Sequence, residues 1–497
     1  MSMNIQIEHI LLALSFLFFL SIISGKISSK FGLPALLLFL CVGMICGSDG
    51  LGLQFNNPST AQTIGTVSLC IILFSSGLDT RFNDIRPVLA PGTLLATVGV
   101  LLTTAISGVL IWLLLGKTYE SAKIGLTSSL LLAATMSSTD SASVFSILRS
   151  SGLKIKDNLR SMLELESGSN DPMAYVLVIT LLAIVQTDGS PDYVTAIVQL
   201  VLQLVIGVAA GLGLGKLSLY LINKLKIDNS SLYPILVLTF SIFIFSFTYF
   251  IKGNGYLAVY IGGLVVGNHN FAHKRSSVRF FDGLSWLCQL IMFLTLGLLV
   301  NPHELVPVFG SGLIISVMMI FVARPASIFL CLIPFKDITF KEKLFVSWCG
   351  LRGAVPIIFA ILPLSANVEH SHLFFNIVFF CTLISLLVQG TSLPLMARLL
   401  KLDIKGSDEN VLKNFDVDFS DEIKSVTSEI SLTEKALENG RLLMDLALPD
   451  KTLVVMIKRN NKFFVPTGKT ELFADDKLLI ITDDHTALRE TYKSLGL

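Results

Sequence analysis

The sequence predicts an all-α polytopic membrane protein with a small cytoplasmic α+β domain at its C-terminal end. Three observations carry that prediction. Of 497 residues, 53% are hydrophobic and 15% charged, and the mean hydropathy is +0.73. Apolar runs long enough to cross about 30 Å of hydrocarbon recur from Ile10 to Leu400. After Leu400 the composition turns charged and mixed. The formal net charge of +1 implies no bulk acidic or basic partner and no nucleic acid.

About 13 transmembrane helices are expected, with approximate limits 8–25, 33–51, 61–77, 88–115, 122–148, 159–186, 193–223, 232–252, 255–269, 281–300, 305–334, 342–366 and 372–399. The first run lacks a basic flank and a small-residue cleavage site, so it reads as a spanning helix rather than a removed signal. Alternate connections are rich in Lys and Arg, as at Arg81 and Arg86, at Arg149, Lys154, Lys156 and Arg160, and at Lys274, Arg275 and Arg279. The intervening connections hold few, such as Lys117, Lys123 and Lys252. The positive-inside rule then puts the N-terminus outside and everything after Arg398 in the cytoplasm.

The expected division is a membrane domain over 1–400, a charged linker over 401–425 and a small domain over 426–497. In the last, Thr452–Lys458 and Lys477–Thr482 read as strands. Gly440–Leu446 reads as a helix start and Thr486–Leu495 as a closing helix. About 70 residues is near the lower limit for an independent core, so this domain is expected to dimerise or dock. The seven cysteines lie in or beside apolar segments without a CxxC pair and read as small packing residues. The histidines read as surface residues. There is no HExxH, Walker loop or GxGxxG, so neither a metal enzyme nor a nucleotide enzyme is indicated, and no cofactor is called for.

Polar islands within the apolar runs carry the chemistry. The chief one is Glu166-Ser167-Gly168-Ser169-Asn170-Asp171-Pro172 in the sixth span. Ionised carboxylates at bilayer depth cost about 2.5–3.5 kcal/mol each on insertion scales. Such groups persist with a partner, a cavity or a passing ion. On a helix Glu166 and Asn170 share a face, and Asp171 lies 100° further round. A structural salt bridge that holds helices together is the alternative reading for both Glu166 and Asp171. The second island, Ser137-Ser-Thr-Asp-Ser-Ala-Ser143, surrounds Asp140 with hydroxyls in the fifth span. It predicts an unwound helix whose carbonyls could bind a cation, against a helix interface of small residues. The third, Cys349-Gly-Leu-Arg-Gly-Ala-Val-Pro356, predicts a break in the twelfth span around Arg352. If six spans repeat on either side of the seventh, spans five and twelve correspond, and paired broken helices point to an ion site. The fourth, Val322-Ala-Arg-Pro325, places Arg324 in an apolar run. It needs a carboxylate, for which Glu166 is the candidate, or else it snorkels. Gly211-Leu-Gly-Leu-Gly215 reads as close helix packing.

On Ser138-Thr139-Asp140, Glu166-Ser167 with Asn170-Asp171, Ala323-Arg324-Pro325 and Gly350-Leu-Arg352-Gly-Ala354, the chain resembles the bacterial monovalent cation/proton antiporters of the CPA1 branch. The stretch Phe281–Leu299 resembles the potassium/proton antiporters of the cell volume regulation protein A type. The resemblance implies a thirteen-helix inverted-repeat transporter of the bacterial inner membrane, a homodimer with an elevator-like motion. It implies that Asp171 holds cation and proton in turn. Asp140, Ser167 and the Thr139 carbonyl would complete the cation site. Asn170 would replace a second Asp of electrogenic relatives, implying electroneutral exchange. Arg324 would pair with Glu166, and Arg352 would support the twelfth-span break. Pro466-x-Gly468-x-Thr470-x-Leu472 and Asp476-x-Leu478 resemble the TrkA-type C-terminal regulatory domain, with Asp475 where a Gly is usual. A cyclic dinucleotide or nucleotide effector there is an open expectation. The rival readings are a Na⁺-selective antiporter with the same site and, further off, a gated channel or a sensor.

Overall fold

The computed structural model describes residues 12, 15–23, 34–53, 55–118, 124–187, 193–225, 227–403, 426–432, 437, 440–446, 448–449, 452–459, 462–474, 476–482, 487–488, 491 and 492. It divides into two compact units, Met1–Lys405 and Gly406–Leu497. The first expected span is described only at 12 and 15–23, where it is helical. Most of the expected linker, 404–425, lies outside the described residues, as does Asp475.

The first unit is helical. Its helices are α1 Ala35–Cys46, α2 Pro58–Asp79, α3 Phe82–Leu115, α4 Leu126–Thr135, α5 Ser141–Ser150, α6 Asp157–Val185 and α7 Tyr193–Lys224. They continue with α8 Leu232–Phe250, α9 Gly255–Gly267, α10 Lys274–Leu299, α11 Phe309–Cys331, α12 Phe340–Trp348, α13 Val355–Ser365 and α14 Ser371–Leu399. Among the described residues, eight of these are long and apolar enough to cross a membrane: α2, α3, α6, α7, α8, α10, α11 and α14. Helices α1, α4, α9 and α13 are shorter and apolar. The fifth and twelfth expected spans are each two half-helices, α4–α5 and α12–α13, separated by non-helical backbone at Met136–Asp140 and Cys349–Ala354.

Many apolar side chains face outward. Along α7, Val194 is 72% exposed and Ile197 62%, as suits a helix whose surroundings are hydrocarbon. Inward, small residues let backbones touch. A Cβ on Gly263 of α9 would lie 2.4 Å from the Phe74 carbonyl of α2. On α7, a Cβ on Gly211 would meet the Ala258 carbonyl of α9 at 2.7 Å, and one on Gly215 would meet Gly262 at 3.1 Å. Gly213 has nothing within 4 Å, so the packing expected of all three glycines belongs to two of them. Helical phase is the reason, since Gly211 and Gly215 share a face and Gly213 lies opposite. Among the described residues, three π turns interrupt long helices, at Leu95–Gly99, Met319–Ala323 and Leu386–Gly390.

The second unit holds a four-stranded antiparallel sheet, order β1-β4-β2-β3. The strands are β1 Val426–Ser431, β2 Thr452–Arg459, β3 Lys462–Phe464 and β4 Lys477–Thr482. Ile430, Ile457, Leu472, Leu478 and Ile480 form its core. Gly440–Leu446 does not start an α-helix. Leu443 and Met444 donate their N–H groups to the Thr470 and Gly468 carbonyls, and Arg441 accepts from Leu472. That long-range pairing uses the backbone a helix would need, and only a 3₁₀ turn at Leu443–Asp445 remains. Of the expected closing helix, 487, 488, 491 and 492 are described and helical.

Candidate functional site

The two breaks cross each other. The Asp140 N–H donates to the Leu351 carbonyl at 2.8 Å, and Arg352 Nε donates to the Met136 carbonyl at 3.0 Å. A Cβ on Gly353 would lie 2.4 Å from Asp140 Oδ2, so only glycine admits this approach. The crossing brings together two helix N-termini, of α5 and α13, and two C-termini, of α4 and α12. N-termini favour negative charge and C-termini positive charge. Asp140 sits at the first kind and the Arg352 guanidinium reaches the second. Asp140 caps α5, accepting the Ser143 N–H at Oδ1 (3.1 Å) and the Ser143 hydroxyl at Oδ2 (2.5 Å). Arg352 was expected to support its own break. Its side chain braces the other one, and its N–H donates to Ser385 Oγ at 3.1 Å.

Helix α6 passes beside the crossing. Asp171 is the central residue of its 29 and is 7% exposed. Its Oδ1 accepts a hydrogen bond from the Ser138 hydroxyl. Ser167 Oγ accepts the Ser141 N–H at 3.0 Å and donates to the Thr139 carbonyl at 2.8 Å. Asn170 Nδ2 donates to Thr139 Oγ1 at 2.6 Å. Asn170 is wholly buried, and its Oδ1 has no hydrogen-bond partner among the described residues. Carboxylate, carbonyl, hydroxyl and amide oxygens thus gather where α6 is hydrogen-bonded to the fifth-span break. An oxygen set of this kind suits a hard cation.

Glu166 and Arg324 lie away from that point. Arg324 Nη2 donates to Glu166 Oε1 at 2.5 Å, with both side chains almost fully buried (3% and 2% exposed). Gly350 packs against the guanidinium, 2.8 Å from the place its Cβ would take to Arg324 Nε. The pair therefore ties α6 to α11 and to the twelfth-span break. Of the eight residues singled out in the sequence, Thr139, Asp140, Ser167, Asn170 and Asp171 meet around one point, Arg352 braces it, and Glu166–Arg324 is a separate buried contact.

Sequence reasoning passed over Ser138 as a partner of Asp171, and over Ser385 and Gln389. Ser385 Oγ donates to Gln389 Oε1 at 2.6 Å, and Gln389 Nε2 donates to the Trp348 carbonyl at 3.1 Å. These two satisfy free backbone groups of the broken α12–α13, an N–H and a carbonyl. The signal was a Ser and a Gln four apart in an apolar run. Among the described residues no cluster of three or more His, Cys, Asp or Glu side chains is placed to hold a metal, and all seven cysteines are free.

Residues 15–399 match the sodium/hydrogen exchanger transmembrane family, and residues 429–496 match the TrkA-C domain. A K(+)/H(+) antiporter NhaP of Alkalimonas amylolytica is 42% identical over 473 residues, covering 95% of this chain and 80% of that protein. A K(+)/H(+) antiporter NhaP2 of Shewanella sp. (strain ANA-3) is 37% identical over 464 residues, covering 93% and 79%. The structure of the sodium proton antiporter MjNhaP1 from Methanocaldococcus jannaschii at pH 8 superposes with a TM-score of 0.67 at 25% identity, covering 79% of this chain and 99% of that one. These relatives are transporters and not enzymes. The chain belongs to the sodium/hydrogen exchanger family and carries a TrkA-C domain at its C-terminal end.

Proposed function

We propose that this protein exchanges cytoplasmic K⁺ for external H⁺ through Asp171, by an elevator-type alternating-access motion. The observation that carries the reading is the oxygen cluster at the crossing of two broken helices. Asp171 stands mid-helix within it, bonded to Ser138, next in sequence to Asn170, whose Oδ1 has no hydrogen-bond partner among the described residues. Asp171, Asp140, Thr139, Ser167 and Asn170 form the ion site. A carboxylate there holds one ion at a time, K⁺ or H⁺. Coupling follows if the loaded site crosses and the empty, charged one does not.

The exchange is electroneutral in this reading. Asp140 is committed to capping α5 through Ser143, and Asn170 carries no charge, which leaves Asp171 alone to trade ions. Glu166–Arg324 and Arg352 hold the moving part together. Thirteen crossings in two inverted repeats would place the π turns at Leu95–Gly99 and Met319–Ala323 in corresponding spans, four and eleven. In this reading the chain sits in a bacterial inner membrane with the N-terminus outside, an orientation that the Lys and Arg bias of the loops supports. Residues 1–400 form the antiporter domain and 401–425 the linker. The domain at 426–497 would take a small effector, a cyclic dinucleotide or nucleotide, and the working unit would be a homodimer.

The K⁺ assignment follows the relatives named as K(+)/H(+) antiporters. The alternative, Na⁺, has the named sodium proton antiporter of similar fold behind it. Proteoliposomes with an imposed pH gradient separate the two. Recovery of lumenal pH on adding K⁺ and not Na⁺ is expected. Recovery with Na⁺ alone would overturn the ion assignment, and current without proton movement would overturn exchange.

A further inference from the structure

Helix α6 touches α9 at three successive levels around Asp171. Below it, a Cβ on Gly168 would lie 2.3 Å from the Tyr260 ring, so the ring packs directly on the α6 backbone. Above it, Tyr175 meets Tyr256 edge to face, ring centroids 4.8 Å apart. Between them lies the polar contact. The Asn254 side-chain amide, on a residue 1% exposed, donates to the Pro172 carbonyl at 2.8 Å. Pro172 follows Asp171 directly.

Asn254 is anchored for this task. Its backbone N–H donates to the Gln203 carbonyl of α7 at 3.0 Å, and its Oδ1 caps α9 through the Leu257 N–H at 3.1 Å. The amide thus projects from a residue bonded to both α7 and α9 onto the helix that carries the ion site. Next to it lies a cavity of about 200 Å³ lined by Gln62, Thr66, Tyr175, Tyr249, Tyr256 and Phe359, among others. Asp171 is not among its lining residues. The cavity stops one helical turn short, at Tyr175.

We propose that the Asn254 amide is a positioning latch. It holds α6 against α9 in the position where Tyr175 and Tyr256 separate Asp171 from this cavity, and so sets how often the site opens on that side. The inference rests on the alternating-access reading above, in which α6 must slide past α9, and on the orientation that puts the cavity outside. A hydrogen bond of ordinary strength displaces such an equilibrium roughly threefold to tenfold.

The test separates the latch from the helix cap. Asn254→Ser keeps a capping oxygen for α9 but is too short to reach Pro172. Asn254→Asp also keeps the cap and replaces the donor by an acceptor, and it serves if the Ser variant does not fold. Each is made in the full chain, with the seven cysteines replaced and Gln62→Cys placed in the cavity wall. Labelling of that cysteine by a membrane-impermeant maleimide is measured from each side of oriented vesicles, with the apparent KM and kcat for K⁺. A threefold to tenfold rise in outside labelling is expected, with a matching change in KM, in variants that still fold cooperatively. Labelling and kinetics equal to the parent would reduce Asn254 to a helix cap, and slower labelling would mean it favours the opposite state. Labelling does not need transport. Failure of the exchange reading, read from Asp171→Asn, is therefore distinct from failure of the latch.

Discussion

Replacing Arg324 by Ala would strand the Glu166 carboxylate. Both side chains are almost fully buried and their bond is 2.5 Å long. The Coulombic gain of such a pair is set against the desolvation of two ions, so the intact pair adds little net stability. Removing one member is a different matter, because a charge is then left without water or partner. That loss is about 3–5 kcal/mol. Glu166→Gln is expected to cost a comparable amount, since it leaves the guanidinium alone. The double variant Glu166→Gln with Arg324→Ala buries no charge, and much of the stability should return. Equilibrium unfolding in mixed micelles, run on all four proteins, gives the coupling energy directly. An Arg324→Ala protein within about 1 kcal/mol of the parent would refute the argument. So would additive losses in the double variant, which would show the two residues acting separately.

Three further outcomes follow from the geometry. Ser138→Ala removes the hydroxyl that donates to Asp171 and should leave folding intact. Hydrogen bonds to charged groups are worth about 1.5–3 kcal/mol, so the apparent K⁺ affinity should change at least tenfold in transport assays. On α7, Gly211→Leu drives a side chain into the Ala258 carbonyl, whereas Gly213→Leu enters open space. The first should destabilise the protein by about 1–3 kcal/mol, and the second should be near neutral in the same unfolding measurement. In the C-terminal domain, Asp476 is 2% exposed and takes two hydrogen bonds from Arg459, at 2.8 and 2.5 Å. The same pairing pushes the Arg459 guanidinium further above its ordinary value. Asp476→Asn should loosen this domain by about 1–3 kcal/mol, seen as earlier proteolysis after residue 403 with the membrane unit intact.

Much of the membrane domain was legible in the sequence because hydropathy and length speak for a helix that must satisfy its own backbone. The breaks at Met136–Asp140 and Cys349–Ala354 were legible for a related reason: a lone charge flanked by hydroxyls, or by glycines and a proline, does not suit an unbroken helix in such a run. Arg324 and Glu166 stood out as isolated charges. What Arg352 does was not legible. Its partner, the Met136 carbonyl, is 216 positions away in sequence, and nothing local says which break a guanidinium will brace. Ser385, Gln389 and Asn254 were silent for another reason. They carry no charge to demand a partner, and they act through tertiary contacts alone. Gly440–Leu446 failed the other way, since local helix propensity lost to pairing with 468–472. β1 and β3 went unread because they are short or polar, with only one apolar face.

The central claim is that one carboxylate trades a proton for a cation. Purified protein in weakly buffered detergent solution tests it without a membrane. K⁺ is added and released protons are counted, for the parent and for Asp171→Asn. The account predicts proton release that saturates at about one per chain in the parent and is absent in the variant. Equal release from Asp171→Asn, or K⁺ binding by the parent without any release, would contradict it.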